Sequence, residues 1–148
     1  MKKVYFAGPL FCKAEKDYNL TVANILEQAG YQVFLPQRDG CESCLLKDKT
    51  DEEKTKMIFD MDTSEIYKAD VLFMNLDGRV PDEGACVELG IAYALEKPCY
   101  GIKTDARTTE AGLDLNPLIA GCFKKLFYNL DGELAINELK EYLKDNQL

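Results

Sequence analysis

Short apolar runs alternate with amphipathic helical segments along the whole chain, and this alternation restricts the fold more than any other feature. The clearest run, residues 71–76, is apolar at nearly every position, which is typical of a strand covered on both faces. Strands that alternate with helices in this way form mainly parallel sheets, because each helix returns the chain to the same end of the sheet. The pattern therefore predicts an α/β fold.

The individual elements follow from the spacing of the apolar residues. Strands are predicted at residues 4–7, 31–35, 71–76, 99–102 and 125–128. Helices are predicted at residues 15–29, 52–68, 84–96 and 133–144, with a short helix at 116–120. The polar stretch of about fifteen residues after the second strand is longer than most connections, which indicates a lid or binding loop. We expect a single domain over residues 1–148, with one doubly wound, mainly parallel five-stranded sheet of flavodoxin-like strand order.

The charge balance argues against nucleic acid as a partner. The chain has 26 acidic and 18 basic residues, a formal net charge of −8, and no Lys/Arg run that would neutralise a phosphate backbone. No apolar stretch approaches the length of a membrane span. The Met-Lys-Lys start leads into a strand rather than a signal peptide, so we expect a cytoplasmic protein with no membrane partner.

The cysteines and the absence of histidine limit the chemistry that is available. Cys41 and Cys44 form a CxxC pair, which is typical of half a zinc site or of a redox pair. A zinc site would need two further ligands, and the chain has neither a histidine nor a second CxxC. We therefore expect incidental, reduced thiols and no metal. Proton transfer near neutral pH must use carboxylates, Tyr, Lys, Cys or water.

One carboxylate occupies a position where burial is expected. At helical spacing, Glu88 shares a face with Ala85 and Ala92. Burying a charge is costly, so this carboxylate needs a partner or a chemical role, although the helix dipole also favours a solvated Glu near a helix start. Asp82, at the same helix start, is either an N-cap or a ligand-binding carboxylate. Asp70, before the third strand, is either a site residue or a turn or cap residue.

Ligands of doubly wound sheets bind outside the carboxyl ends of the strands. This rule selects the segments that follow the first four strands, namely Gly8-Pro9, Pro36-Gln37, residues 77–84 and residues 103–107. Two carboxylates near such a crevice suit glycosyl chemistry. One attacks an anomeric carbon while another group protonates the leaving group.

A series of short motifs runs along nearly the whole chain. They are Val4-Tyr5-Phe6-Ala7-Gly8-Pro9-Leu10-Phe11, Leu35-Pro36-Gln37, Ala69-Asp70-Val71, Asn75-Leu76-Asp77-Gly78, Pro81-Asp82-Glu83-Gly84, Glu88-Leu89-Gly90 and Lys97-Pro98. In order and spacing, this set resembles the nucleoside 2-deoxyribosyltransferase family. The resemblance implies transfer of a 2-deoxyribosyl group between nucleobases by double displacement. It further implies 2′-deoxynucleosides and free nucleobases as small-molecule partners, with no metal or organic cofactor.

The resemblance also implies roles for individual residues. Glu88 is implied to be the nucleophile that forms a covalent deoxyribosyl ester, and Asp82 to hold the sugar hydroxyls and orient Glu88. Asp70 is implied to contact the nucleobase and assist its protonation, and Tyr5 to lie near the nucleophile. The strand-end rule and the resemblance together place substrate contacts at Gly8, Pro9, Gln37, Asp77, Gly84 and Asn116. The last of these is implied to reach the sugar 5′-hydroxyl in a neighbouring subunit's site.

Two alternative functions remain open. The same fold family includes nucleotide N-hydrolases, which pass the sugar to water and bind a 5′-phosphate. Asp82 would repel a phosphate, whereas Arg79, Lys103 and Arg107 would offset that repulsion. The non-enzyme alternative is a flavodoxin-like binding or regulatory module without turnover. The apolar face of the helix at residues 84–96, with the family pattern, indicates a homo-oligomer with shared sites, a dimer or larger.

Overall fold

Five parallel strands form the central sheet of the computed structural model, which describes residues 1–41, 43–109 and 112–148. The strands are β1 (Lys3–Ala7), β2 (Gln32–Phe34), β3 (Val71–Asn75), β4 (Cys99–Lys103) and β5 (Lys125–Tyr128). Their spatial order is β2-β1-β3-β4-β5, and every pairing is parallel. The predicted five-stranded sheet of flavodoxin-like order is therefore confirmed. Strand order reverses between β1 and β3, where such folds place their ligand crevice.

The helices among the described residues are α1 (Lys13–Gln28), α2 (Pro36–Asp39), α3 (Ser43–Leu46), α4 (Asp51–Lys68), α5 (Glu83–Ala94), α6 (Pro117–Ala120) and α7 (Gly132–Asp145). The four long helices begin within two residues of their predicted starts. In the described part of the chain, no helix has both the length and the apolar character needed to cross a membrane.

The polar stretch after β2 differs from the prediction, because it contains two short helices instead of one continuous loop. Pro36 occupies the first position of α2, where its fixed backbone angle favours a helix start. The Asp39 carboxylate then accepts a hydrogen bond from the Leu35 N–H at 2.8 Å and closes the turn. These local contacts order the beginning of the stretch beside the sheet.

Two apolar layers cover the sheet, one on each face. The first packs Phe6 and Phe73 against α1 and α7, and the second packs Tyr5 and Leu72 against α4 and α5. Neighbouring residues of a strand point to opposite faces, so the pleat of β1 directs Phe6 into one layer and Tyr5 into the other. This alternation places the Tyr5 side chain beneath α4 and α5.

The turn after β1 passes very close to the end of β3. Gly8 has a φ of +155°, and a Cβ on this residue would lie 3.0 Å from the Asn75 Cβ and 3.3 Å from the Asn75 carbonyl oxygen. Both atoms belong to or adjoin the backbone of a central strand and have little freedom to move. Only glycine therefore fits the turn as it stands.

We expect Gly8→Ala to lower the free energy of unfolding by about 1–3 kcal/mol, because the added methyl group overpacks this contact. Gly90→Ala is the matched control. No atom lies within 4 Å of the position of its Cβ, and alanine favours the helical backbone of α5, so stability should rise by up to about 1 kcal/mol. Urea unfolding measures both changes, and equal stabilities of the two variants would contradict the close approach.

Candidate active site

A tyrosine and a carboxylate meet in the layer between β1 and α5. Tyr5 is fully buried, and its hydroxyl donates a hydrogen bond to Oε1 of Glu88 at 2.7 Å. Glu88 is half-buried in the second turn of α5, above the middle of β1. Its carboxylate thus lies on the inner side of the helix, as the apolar spacing of its neighbours predicts.

The environment of Glu88 moves its titration into the physiological range. Burial raises the pKa of Glu88 to about 7, the Tyr5 hydrogen bond opposes this rise, and the Asp62 and Asp82 carboxylates add to it. Burial and the nearby Glu88 charge raise the pKa of Tyr5, which therefore keeps its proton and remains the donor. A carboxylate with this pKa exchanges protons in the range that histidine usually covers, and the chain has no histidine.

Asp62 is a candidate site residue that the sequence analysis missed. It lies on α4, where burial raises the pKa of its carboxyl group, and its charge in turn raises the pKa of Glu88 and Tyr5. As with Glu88, the sequence shows a carboxylate on an apolar helix face, because Ile66 and Ala69 follow Asp62 by four and seven residues. Both of these residues are buried.

Asp70 lies at the opposite end of the sheet from the expected crevice. Its exposed carboxylate accepts a hydrogen bond from the Lys3 N–H at 2.8 Å, and its own N–H donates to the Lys3 carbonyl oxygen at 2.8 Å. These contacts join the amino ends of β3 and β1, whereas ligands bind at the carboxyl ends. The geometry therefore contradicts the placement of Asp70 in the site and supports its alternative interpretation as a turn residue.

Asp82 caps α5. Its Oδ2 accepts a hydrogen bond from the Ala85 N–H at 2.8 Å, and a Cβ on Gly84 would lie 3.2 Å from the same oxygen. The same carboxylate also raises the pKa of Glu88, so it lies within electrostatic range of that residue. The capping interpretation of Asp82 is confirmed, and the cap holds the carboxylate at the carboxyl end of β3.

Two buried asparagines link the turns at the carboxyl ends of the strands. Asn19 Nδ2 donates to the Pro9 carbonyl oxygen at 2.7 Å and to Gln37 Oε1 at 3.2 Å, and Asn75 Nδ2 donates to Asn19 Oδ1 at 2.8 Å. Gln37 Nε2 in turn donates to the Lys16 carbonyl oxygen at 2.8 Å. Pro9 and Gln37 thus lie at the predicted edge, with both ends of the Gln37 amide bonded within the protein.

Asp77 and Asn116 also lie beyond the carboxyl ends of β3 and β4. The Asp77 carboxylate accepts hydrogen bonds from the N–H groups of Thr104 at 2.6 Å and Asp105 at 2.9 Å, and so connects the two strand ends. The Asn116 side chain caps α6 through the Leu118 N–H and is exposed at a cavity of about 360 Å³. Asp77 therefore supports the loops, while Asn116 is accessible to a neighbouring molecule.

Of the cysteine pair, only Cys41 has a described side chain. The Cys41 thiol contacts the Met61 thioether at 3.7 Å, and the Cys44 side chain lies outside the described residues. Within the part of the chain that is described, no group of three or more His, Cys, Asp or Glu residues is arranged to hold a metal ion.

The chain belongs to the nucleoside 2-deoxyribosyltransferase family, whose sequence profile matches residues 4–146. The predicted resemblance is thereby confirmed, and the protein is an enzyme of this family. No curated protein sequence matches it.

Many solved structures share the fold, among them those of three proteins that cover nearly the whole chain. A conserved protein from Enterococcus faecalis V583 is 28% identical, with 98% of each chain covered and a TM-score of 0.78. A 2-deoxyribosyltransferase from Bacillus psychrosaccharolyticus is 23% identical, with 95% of this chain and 91% of that chain covered and a TM-score of 0.74. A CMP N-glycosidase from Clostridium botulinum is 18% identical, with 95% of this chain and 99% of that chain covered and a TM-score of 0.65.

We expect carbon-13 NMR of the carboxyl groups to find a titration midpoint for Glu88 near pH 7. Tyr5→Phe removes the donor that stabilises the carboxylate, so the midpoint should rise. Asp62→Asn removes a nearby negative charge, so the midpoint should fall. Asp70→Asn is the control and should leave it unchanged. A Glu88 that titrates near pH 4.5 would contradict the buried geometry.

Proposed function

We propose that this enzyme transfers the 2-deoxyribosyl group between nucleobases by double displacement, with Glu88 as the nucleophile. The observation that carries the proposal is the Tyr5–Glu88 hydrogen bond of 2.7 Å in a buried layer, with the Asp62 carboxyl group close by. A nucleophilic carboxylate and a second carboxyl group of raised pKa are the two groups that glycosyl transfer requires. Family membership supports deoxynucleosides and nucleobases as substrates.

In the first half-reaction, ionised Glu88 attacks C1′ of the deoxynucleoside through an oxocarbenium-like transition state. In the reactive form, the Glu88–Asp62 pair carries one proton, which lies on Asp62 while Glu88 is ionised. The bond between C1′ and the base nitrogen breaks, and Asp62 gives this proton to the departing base. The products are the free base, an Asp62 carboxylate and a deoxyribosyl ester on Glu88. The missing 2′-hydroxyl helps, because it allows positive charge to develop on the sugar more easily.

In the second half-reaction, a nitrogen of the acceptor base attacks C1′ and the ester bond to Glu88 breaks. The proton of that nitrogen passes to Asp62, so both carboxyl groups return to their starting states. Two displacements at C1′ give overall retention of configuration. We assign the proton transfers to Asp62 instead of Asp70, because the Asp62 charge acts on Glu88 where α4 contacts α5, whereas Asp70 lies at the amino ends of the strands.

Further contacts are proposed for the sugar. Asp82 lies less than two helical turns before Glu88, so its carboxylate can hold a sugar hydroxyl while it caps α5. Gly8, Pro9 and Gly84 supply backbone at the same edge. Asn116 would reach the sugar 5′-hydroxyl in a neighbouring subunit's site.

The N–H groups at the starts of α1 and α5 are already bonded to carboxylates of the chain, which favours a nucleoside over a nucleoside 5′-monophosphate as substrate. At α1, Oε2 of Glu15 accepts hydrogen bonds from the N–H groups of Phe11 at 2.8 Å and Cys12 at 2.9 Å. At α5, Asp82 accepts the Ala85 N–H. Free N–H groups at a helix start are common phosphate sites, but here carboxylates of the chain occupy them and repel a second anion.

Two of the three basic residues near this edge are engaged within the protein, while Arg79 is exposed at the cavity that Asn116 lines. Arg107 forms an ion pair with Asp105 and holds the pKa of that carboxyl group well below its usual range. The buried Lys103 donates hydrogen bonds to the carbonyl oxygens of Asp105 and Arg107. Both side chains are thus committed to shaping the loop after β4.

Transfer is tested with deoxyinosine plus adenine and with thymidine plus cytosine. We expect the wild type to form deoxyadenosine or deoxycytidine, and Glu88→Ala to lose about 10³-fold or more of this activity. Asp62→Asn should cost about 10²- to 10⁴-fold, because the leaving base loses its proton donor. Asp70→Asn is the matched control and should stay within about twofold of the wild type, with products quantified by liquid chromatography.

Other outcomes would contradict this proposal. Release of free deoxyribose at a rate that added base does not raise would favour an N-hydrolase, the alternative that the fold of the CMP N-glycosidase illustrates. Faster cleavage of deoxyinosine 5′-monophosphate than of deoxyinosine would contradict the preference for nucleosides. Saturable nucleoside binding without cleavage, unchanged in Glu88→Gln, would favour a binding module.

We also propose a homo-oligomer, a dimer or larger, with shared sites. Phe59 on α4 and Val87 and Tyr93 on α5 are 61%, 60% and 56% exposed, and Leu118 beside Asn116 is 83% exposed. Several large apolar side chains at this level of exposure favour an interface. A second copy would cover them and bring Asn116 to a neighbouring site.

Light scattering should give a mass at least twice the 16.7 kDa of one chain. When Glu88→Ala and Asn116→Ala subunits are mixed and allowed to exchange, activity should rise above that of either variant. In each hybrid dimer, one site combines the native Glu88 of one subunit with the native Asn116 of the other. A monomer at assay concentration, or no restoration after demonstrated exchange, would contradict shared sites.

A further inference from the structure

We propose that Asn19 and Asn75 are positioning residues that keep the acceptor base, instead of water, in line with the deoxyribosyl ester. The inference rests on the double displacement proposed above. It concerns the amide pair, meaning the hydrogen-bonded side chains of Asn19 and Asn75. Asn19 is 2% exposed and Asn75 is 1% exposed. Among the described residues, the only other buried polar or charged residue is Lys103.

The amide pair connects three turns that frame the crevice. Asn19, on α1, holds the turn after β1 through the Pro9 carbonyl oxygen and the start of α2 through Gln37. Asn75, the last residue of β3, holds Asn19 and also accepts a hydrogen bond from the Asp77 N–H at 3.0 Å. The segment that begins at Asp77 leads to the start of α5. One chain of hydrogen bonds therefore links all three segments.

This arrangement resists displacement of any single turn. A shift of one turn would leave a buried amide or carbonyl group without a partner, and such groups are costly to leave unpaired. The contact between Gly8 and Asn75 closes the remaining space on the β1 side. Apolar side chains of the same size would fill the volume, but they would not hold the Pro9 carbonyl oxygen or the Asp77 N–H. The presence of amides at these two positions therefore indicates that the turns must be held in fixed positions.

The positions of these turns matter most for the second half-reaction, in which the acceptor base attacks C1′. A nucleobase must be held in one orientation to attack C1′, whereas a water molecule reaches the same carbon from many orientations. Loosened turns should therefore slow attack by the base more than attack by water. Both products come from one ester intermediate, so the ratio of hydrolysis to transfer does not depend on how much enzyme is folded.

The experiment measures this ratio with the donor and acceptor pair that the wild type uses best. Asn19→Leu and Asn75→Leu keep the side-chain size and remove the amide, and Asn24→Leu, at an exposed position of α1, is the matched control. We expect the ratio of hydrolysis to transfer to rise about fivefold or more in the first two variants and to stay at the wild-type value in the third. The pH profile, which depends on Glu88, should keep its midpoint.

Asn75→Ser provides an uncharged change in case the leucine variants fail to fold. It keeps an acceptor for the Asp77 N–H and loses the amide donor to Asn19, so the ratio should rise in this variant as well. An unchanged ratio in folded variants, with only a lower melting temperature, would show a purely structural role and overturn the inference.

Failure of the proposed function would be visible separately. If the wild type forms no new nucleoside, deoxyinosine binding measured by calorimetry replaces the ratio. Weaker binding in Asn19→Leu and Asn75→Leu than in Asn24→Leu would still support a positioning role. Equal binding in the three variants, or no binding to the wild type, would overturn it.

Discussion

The buried hydrogen bond between Tyr5 and Glu88 is the contact on which the chemistry of this fold depends. An isolated carboxylate would not stay ionised in an apolar layer, and burial raises the pKa of Glu88 to about 7. The Tyr5 hydroxyl stabilises the ionised form and fixes one carboxylate oxygen. The pleat of β1 makes the contact possible, because it directs Tyr5 towards α5 while Phe6 fills the opposite layer.

Around this contact, the groups proposed to react and the groups that support the turns lie in different parts of the fold. The Asp62 and Asp82 carboxylates both act on Glu88, while the amide pair holds the turns at the carboxyl ends of the strands. Carboxylates of the chain accept the N–H groups at the starts of α1 and α5, so negative charge lies at the crevice. A neutral nucleoside suits that environment better than an anion.

The sequence predicted the layered fold well, because apolar periodicity directly reflects which faces are covered. It also singled out Glu88, whose apolar neighbours are visible in the chain. It misplaced the second acid, because Asp70 adjoins a strand in sequence and yet lies at that strand's amino end. Asp62 met the same criterion as Glu88, but its proximity to Glu88 depends on how α4 packs against α5. The amide pair was also invisible, since its members are 56 residues apart.

Trapping the covalent intermediate tests the central claim most directly. The enzyme is mixed with a deoxynucleoside donor without any acceptor base, quenched rapidly in acid, digested and measured by mass spectrometry. The account predicts that the peptide containing Glu88 gains one deoxyribosyl group and that this gain is absent in Glu88→Ala. An unmodified Glu88 peptide during demonstrated turnover, or a deoxyribosyl group on another residue, would contradict nucleophilic attack by Glu88.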